Sequence, residues 1–294
     1  MIRPKSFGFN SETALNNAFQ QETKSADINN LAVNEFDNMV SLLRESKIEV
    51  HVVDDTDFPV KPDAIFPNNW ISFGHDGIVR VYSMFAENRR NEVRQDIIEE
   101  IGSLYKITRV INYADKAGQN VFLEGTGSIV FDHDNKLAFA SESERTHYEL
   151  LCEVCESMEY TPVFFPAFDK ALKPIYHTNV IMTIGKNYCI ICAEAIPKSY
   201  RESVMNEIRK TNKKVIEISL NQVYTFAGNA LEVLNRSGSL ITVLSRTAFD
   251  SLSSCQLANM ESVTNLLPVS IPTIEKVGGG SVRCMMAEIF SERR

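Results

Sequence analysis

Short apolar runs alternate with longer amphipathic stretches along the whole chain. β-Branched and apolar runs predict strands at Ile48–Val53, Leu137–Ala140, Val180–Ile184, Tyr188–Cys192 and Leu240–Leu244. Apolar positions three and four residues apart predict helices at Glu87–Ile101, Thr146–Glu156 and Ser199–Lys210. The sequence has no Gly/Ser-rich or Pro-rich linker and no long run of like charge. We therefore expect a mixed α/β fold in one domain spanning residues 1–294.

A polar residue, often with small residues beside it, recurs at even intervals before an apolar strand-like run. The markers of this pattern are Asn69, Glu124, His177, Asn229 and Cys284. Successive markers are 55, 53, 52 and 55 residues apart, which indicates five repeated units. If each unit points its marker toward a common axis, the five side chains meet in one site. The alternative is that they are ordinary turn residues in front of strands.

Composition and charge narrow the class of function. Hydrophobic residues make up 44% and charged residues 23%, as in ordinary globular proteins. A net charge of −8 offers no basic surface for nucleic acid or for an anionic membrane, so we expect a small-molecule substrate. The N-terminus lacks an apolar leader, and no stretch approaches the roughly 18 to 20 apolar residues of a membrane span. We expect a cytoplasmic protein, and a homodimer stays open.

The six cysteines are too sparse for a disulfide scaffold, so each is expected to be a free thiol. Cys284 differs from the rest because it follows three consecutive glycines, where the backbone can approach a ligand closely, and because Arg283 stands beside it. A cation next to a cysteine favours the nucleophilic thiolate. The sequence therefore predicts Cys284 as a nucleophile; the alternative is a small buried hydrophobic residue.

Two further markers suit proton transfer. His177 stands at the start of an apolar strand and is a candidate acid/base that protonates a leaving amine and activates water. Glu124 follows Phe122 and Leu123, so its carboxylate is expected in apolar surroundings, where it can orient a substrate N–H. Each has a structural alternative, because lone histidines are often structural and most such glutamates cap or pair.

Several motifs together resemble the guanidino-group modifying superfamily, which contains arginine deiminases, dimethylarginine hydrolases and amidinotransferases. The motifs are Gly-Gly-Gly-x-x-x-Cys-Met at 278–285, His-Thr-Asn at 177–179, Leu-Glu-Gly-Thr-Gly at 123–127, Phe-Pro-Asn-Asn-Trp at 66–70 and Ser-Glu-Arg-Thr at 143–146. The opening Phe-Gly-Phe-Asn at 7–10 and Phe-Ala-Gly-Asn at 226–229 are similar to the branch of citrulline utilisation hydrolases. The resemblance spans nearly the whole chain.

The resemblance implies a fold and a set of roles. The fold is a five-bladed α/β propeller with pseudo-fivefold symmetry, in agreement with the repeat. The implied roles are nucleophile for Cys284, general acid/base for His177 and substrate-binding carboxylate for Glu124. Arg90 and Arg145 resemble the arginines that hold the substrate α-carboxylate. No metal and no organic cofactor is expected.

Asn69 and Asn179 stand where arginine deiminases have two further carboxylates. A guanidinium needs nearby anions, whereas a ureido group is neutral and its carbonyl oxygen accepts hydrogen bonds that asparagine can donate. An unpaired buried polar group costs about 1–3 kcal/mol, a factor of roughly five to a hundred and fifty. We therefore expect hydrolysis of L-citrulline to ornithine, carbon dioxide and ammonia, with Asn69 or Asn179 donating to the developing oxyanion.

Other functions stay open at this point. An arginine dihydrolase would carry arginine through citrulline to ornithine with two ammonia molecules, and an arginine deiminase would stop at citrulline. A catalytically silent propeller that only binds an amino acid is the alternative from another class.

Some motifs have a second reading. The pairs Cys152-x-x-Cys155 and Cys189-x-x-Cys192 have the spacing of zinc ligands, but they fall on a predicted helix and a predicted strand rather than on knuckle turns, so we expect plain thiols. Clustered charges such as Arg89 and Arg90 usually lie on a solvent-exposed helix face. Only the resemblance to the family, through the spacing of its motifs, favours Arg90 as a substrate-binding residue.

Three residues are candidates for the substrate α-amino group. Asn17, 52 residues before Asn69, is one, and Asn10 and Asp63 are the others. For the asparagines a capping or turn role is the alternative. Asn229 is expected to be the structural turn residue of its unit.

Overall fold

Five small sheets carry the strands of the computed structural model, which describes residues 1–23 and 27–294 and has an α/β fold. One sheet has two strands and the other four have three each. The strands are β1 Ile2–Arg3, β2 Val53–Asp54, β3 Ile71–Phe73, β4 Ile78–Val81, β5 Arg109–Asn112, β6 Ile129–Asp132, β7 Leu137–Glu142, β8 Thr161–Pro166, β9 Met182–Ile184, β10 Tyr188–Ile191, β11 Lys214–Glu217, β12 Leu231–Leu234, β13 Leu240–Ser245 and β14 Asn265–Val269.

Helices connect the strands and cover the sheets. They are α1 Ile28–Glu45, α2 Gln95–Leu104, α3 Gly125–Ser128, α4 Tyr148–Met158, α5 Lys198–Lys210, α6 Leu220–Val223, α7 Arg246–Ser251 and α8 Ser254–Glu261. Buried apolar residues recur along α1 at the spacing of one helix face, with Phe36, Met39 and Leu43 inside the core. Burial of such faces against the sheets holds each unit together.

The four three-stranded sheets share one plan. In each, the first strand pairs antiparallel with the second, and the second pairs parallel with the third. A parallel pair needs a long crossover, and the helical segments α2, α4, α5 and α7–α8 supply it. The two-stranded sheet has only the parallel pair of this plan, with α1 between β1 and β2 in the chain. Among the described residues, the repeat therefore consists of four β-β-α-β units and one β-α-β unit.

The predicted elements agree with this fold in part. The predicted runs at 137–140, 188–192 and 240–244 fall on β7, β10 and β13, and two predicted helices fall on α4 and α5. The prediction of a strand at Ile48–Val53 is wrong, because only Val53 belongs to one. The predicted helix at Glu87–Ile101 is two elements: a 3-10 helix at Asn88–Glu92, an extended Val93, and then α2.

Four of the five marker residues stand shortly before the first strand of their unit, whereas Cys284 lies in a turn that no strand of the described residues follows. Asn69 ends the 3-10 helix Pro67–Asn69 in front of β3, and Glu124 precedes α3, which leads into β6. His177 precedes the 3-10 helix Thr178–Val180 in front of β9, and Asn229 lies two residues before β12. A residue at the start of a strand is held by the sheet behind it, so its side chain has a defined direction.

The two Cys-x-x-Cys pairs show no sign of a metal centre. Cys152 and Cys155 lie on α4, and Cys189 lies on β10 with Cys192 just after it; all four are free thiols. Burial raises the pKa of Cys155 to about 12 and that of Cys192 to about 11, so these sulfurs stay protonated. Within the described ranges 1–23 and 27–294, no three His, Cys, Asp or Glu side chains cluster closely enough to bind a metal. No described helix has the length and apolar character to span a membrane.

Gly228 is required by close packing beside the site. A Cβ at this position would lie 2.4 Å from the carbonyl oxygen of Val180 and 2.9 Å from the carbonyl carbon of Ile181. Because backbone cannot yield as a flexible side chain can, Gly228→Ala is expected to lower the free energy of unfolding by about 1–3 kcal/mol. Urea denaturation measures the change.

The matched control is Gly118→Ala, because a Cβ there meets nothing within 4 Å. That variant should stay within about 0.5 kcal/mol of the wild type. Equal stability of the two variants would contradict the packing argument.

Candidate active site

A narrow cavity lies where residues from distant parts of the chain meet. It is lined by Thr13, Asn17, Asp63, Phe66, Asn69, Arg89, Arg145, Tyr176, His177, Gly278, Gly279, Gly280 and Cys284. Its volume of about 20 Å³ is room for little more than one water molecule. A ligand as large as an amino acid would enter only if part of the lining moved, and the N-terminal residues Thr13 and Asn17 belong to that lining.

Cys284 is almost fully buried, 5% exposed, at the wall of the cavity. The Nδ2 atoms of Asn179 and Asn229 lie 3.6 and 3.4 Å from its sulfur. The sequence suggested Arg283 as the activating cation, but its guanidinium pairs with Glu288 at 3.2 Å and donates to the Met286 carbonyl. The prediction that Arg283 activates the thiol thus loses its support. Amide groups contact the sulfur instead.

His177, Glu124 and Arg145 form a buried chain of charged and polar groups. His177 Nε2 lies 2.7 Å from Glu124 Oε2, and Arg145 reaches the same oxygen at 3.4 Å. The backbone N–H of Phe85 donates to Oε1 of Glu124 at 3.0 Å. Both carboxylate oxygens of Glu124 therefore accept hydrogen bonds, and one of these bonds fixes the orientation of the His177 ring. Glu124 is not among the residues that line the cavity.

The pKa values of this pair follow from burial and from each other. Burial lowers the pKa of His177 to about 4 although Glu124 opposes the shift, so the imidazole is neutral near pH 7. Burial alone would raise the pKa of Glu124, but Arg145 and His177 hold it well below its usual range. A neutral imidazole backed by a carboxylate can accept a proton and return it later.

Arg89, not Arg90, lines the cavity. Arg89 is buried, donates to Asn69 Oδ1 at 2.8 Å and forms a two-pronged ion pair with Glu92 at 2.8 Å. Arg90 is partly exposed and donates to backbone carbonyls of 84 and 85. The cavity lining thus contains Arg89 and not Arg90, the arginine that the sequence suggested for the substrate α-carboxylate. Each arginine has a glutamate three residues away, Glu92 for Arg89 and Glu87 for Arg90, so the sequence spacing does not separate them.

Arg145 and Asn17 both line the cavity. Arg145 is buried, donates to the Thr13 carbonyl at 3.1 Å and to Asn16, and lies over the Tyr176 ring. Asn17 donates to the Gly279 carbonyl at 3.3 Å, which ties the N-terminal segment to the glycines before Cys284.

Asp63 has a free acceptor at the cavity. Its Oδ2 accepts from Asn10 at 2.7 Å and Thr13 at 3.2 Å. Its Oδ1 is buried and has no hydrogen-bond partner among the residues described. Burial raises the pKa of Asp63, and Arg89 opposes that shift. A buried oxygen without a partner is available for a ligand N–H.

Comparison with known proteins identifies relatives of the fold. The sequence model of the family described as N,N dimethylarginine dimethylhydrolase, eukaryotic, matches residues 3–291. A search of curated protein sequences found no match.

Several solved structures of enzymes have a similar fold. The N-terminal domain of ArgZ, an arginine dihydrolase from the ornithine–ammonia cycle in cyanobacteria, bound to substrate, is 17% identical and covers 97% of this chain and 95% of that chain, with a TM-score of 0.76. DDAH from Pseudomonas aeruginosa complexed with citrulline is 15% identical over 100% and 97% of the two chains, with a TM-score of 0.63. A mutant of AgrE in complex with L-arginine is 17% identical, with a TM-score of 0.72, and covers 97% of this chain and 39% of that one. The chain likewise spans 40% of full-length ArgZ.

Proposed function

The chain belongs to the N,N-dimethylarginine dimethylhydrolase family of guanidino-modifying hydrolases. From the charge of the groups around its cavity, we propose that it hydrolyses the ureido group of L-citrulline. In this proposal Cys284 is the nucleophile, His177 the acid/base, and Glu124 the carboxylate that orients His177. We also propose that the five units surround one axis as the blades of a propeller.

The preference for citrulline over arginine rests on the charge of the groups around the cavity. Asn69 lines the cavity and Asn179 contacts Cys284, and neither offers a negative charge. Glu124 already accepts from Phe85, His177 and Arg145, so it has little left to neutralise a guanidinium. Burying a cation without an anion is costly, whereas a neutral ureido group needs only donors and acceptors.

The charged groups of the cavity suit the amino-acid end of the substrate. Arg89 and Arg145 are buried donors for an α-carboxylate. The unpartnered Oδ1 of Asp63 is the acceptor for the α-amino group, and Asn17 is a neighbouring polar group. Two arginines and one aspartate match the zwitterion, which leaves the ureido end for Asn69, Asn179 and Cys284.

The proposed reaction proceeds through one covalent intermediate. The sulfur of Cys284 attacks the ureido carbon, the carbonyl electron pair moves to oxygen, and an asparagine N–H donates to this oxyanion. His177, which has taken the thiol proton, gives it to the departing ornithine nitrogen as the C–N bond breaks. Water then loses a proton to His177 and attacks the thiocarbamate, and the thiolate leaves. The resulting carbamate decomposes, so citrulline and one water give ornithine, carbon dioxide and ammonia.

A second candidate is arginine dihydrolysis, since ArgZ is an arginine dihydrolase with a similar fold and Glu124 keeps one carboxylate near the site. The deciding experiment incubates purified protein separately with L-citrulline, L-arginine and N,N-dimethyl-L-arginine and quantifies ornithine, citrulline, ammonia and dimethylamine over time.

We expect ornithine from citrulline alone. Ornithine from both citrulline and arginine would make the protein a dihydrolase. Citrulline accumulating from arginine, or dimethylamine from the methylated substrate, would contradict the argument from Asn69 and Asn179. No turnover of any substrate would favour an amino-acid-binding protein.

A further inference from the structure

Two side-chain amides from different units hold the sulfur of Cys284. Nδ2 of Asn229 lies 3.4 Å and Nδ2 of Asn179 lies 3.6 Å from Sγ. Both asparagines are 1% exposed, so water does not compete for these contacts. We propose that Asn229 is a catalytic residue which, together with Asn179, stabilises the Cys284 thiolate in place of a cation. This assigns chemistry to a residue that the sequence suggested was structural.

The other partners of Asn229 determine which way its amide faces. Its Oδ1 accepts from the backbone N–H of Arg283 at 3.1 Å, and its Nδ2 donates to the carbonyl of Asn179 at 3.1 Å. Exchanging oxygen and nitrogen would bring two carbonyl oxygens together and two N–H groups together. The remaining hydrogen of Nδ2 therefore faces Sγ. The sulfur of Cys284 also lies 3.8 Å from Oδ1 of Asn229, a longer contact in which a protonated thiol would be the donor.

Asn179 is oriented by the same kind of constraint. Its Nδ2 donates to the carbonyl of Thr126 at 3.2 Å, so the amide nitrogen also faces the sulfur. A thiolate accepts hydrogen bonds, whereas a thiol offers only weak acceptance. Two fixed donors therefore favour the charged form over the neutral one.

The cations near the site are engaged elsewhere. Arg283 pairs with Glu288 at 3.2 Å, Arg89 with Glu92 at 2.8 Å and Arg145 with Glu124 at 3.4 Å. Each of these positive charges is offset by a buried or partly buried carboxylate. In the described part of the chain, the groups in hydrogen-bond contact with Sγ are these two amides.

This arrangement fits a neutral substrate. A guanidinium would bring its own positive charge to the sulfur and favour the thiolate as it binds. A ureido group brings none, so the protein itself has to stabilise the thiolate before the substrate arrives. This step rests on the proposed function, whereas the stabilisation of the thiolate by Asn229 does not.

The test is a pH titration of the Cys284 thiolate in the substrate-free protein. Thiolate absorbance in the ultraviolet is recorded for wild type and for Asn229→Asp, each minus the same protein carrying Cys284→Ser, which cancels the other five cysteines. Asn229→Asp keeps the shape and an acceptor for Arg283, but it turns a carboxylate oxygen toward the sulfur. The titration midpoint should move to higher pH by about one unit or more, a tenfold loss of thiolate.

Asn265→Asp is the control for the added charge, because Asn265 is exposed and its side-chain amide donates to the Leu240 carbonyl. Its midpoint should equal that of the wild type. Asn229→Ala removes the donor without adding charge and should shift the midpoint in the same direction by less; it provides the test if Asn229→Asp does not fold.

A wild-type midpoint in a folded Asn229 variant would overturn the proposal. The assay contains no substrate, so a shifted midpoint in a protein that leaves citrulline intact would reject the proposed function and leave the role of Asn229 standing.

Discussion

Cys284→Ser is expected to abolish hydrolysis, with the rate falling by roughly 10⁴-fold or more. Loss of an enzyme nucleophile typically costs this much, because the remaining groups bind the substrate but cannot form the covalent intermediate. A serine hydroxyl has nearly the volume of the thiol but stays protonated near neutral pH. Ornithine formation from citrulline measures the activity, and isothermal titration measures binding, which we expect to be retained because Arg89, Arg145 and Asp63 are unchanged.

Cys255→Ser is the matched control. Cys255 is a free, exposed cysteine that does not line the cavity, so its substitution should leave the rate unchanged. Trapping of a covalent adduct on Cys284 in the wild type, detected by mass spectrometry, completes the test. Activity of Cys284→Ser within tenfold of the wild type would rule out Cys284 as the nucleophile.

Glu124→Gln is expected to impair both catalysis and stability. Glu124 is fully buried and accepts from Phe85, His177 and Arg145. Glutamine keeps the volume but has one acceptor oxygen, so an NH₂ group must face either Phe85 N–H or the His177 and Arg145 side. Arg145 is then left without its carboxylate, and breaking a buried pair costs about 3–5 kcal/mol. Loss of the group that orients the acid/base should lower kcat by roughly 10²- to 10⁴-fold.

The stability effect of Glu124→Gln should depend on pH in a defined direction. The pKa of Glu124 in the folded protein lies below the usual value of 4.5, which applies to the unfolded chain. Its contribution to stability is therefore fully present above pH 4.5 and is lost as the pH falls. The difference in unfolding free energy between wild type and variant should shrink in acid, as urea denaturation at several pH values would measure.

Glu153→Gln is the control for loss of an acidic residue, because Glu153 pairs with Lys116 at the surface. Surface pairs are worth about 0–1 kcal/mol, so this variant should keep its activity and nearly all its stability. A Glu124→Gln enzyme with more than a tenth of the wild-type kcat would show that His177 does not depend on Glu124.

The sequence by itself determined the repeat and the residue types of its markers. Four of the five polar residues at intervals of 52 to 55 do precede the first strand of a unit, because a turn residue followed by an apolar run is a local pattern, whereas Cys284 lies in a turn. The residue types at Cys284, His177 and Glu124 suggest a nucleophile, a base and a carboxylate, and these roles stay predictions. The prediction of a strand at 48–53 was wrong because most of this apolar run packs against the core without forming backbone hydrogen bonds to a neighbouring strand.

Only the tertiary structure decided which polar side chains face the cavity. Successive residues in a 3-10 helix point about 120° apart, so within Asn88–Glu92 a shift of one residue sends Arg89 inward to Asn69 and Arg90 outward. Arg283 faces Glu288, which lies across a bend of the chain. Asn229 faces Cys284, which is 55 residues away in the sequence. The local sequence pattern determines the element on which a residue lies. The direction and charge state of its side chain depend on neighbours that folding brings together.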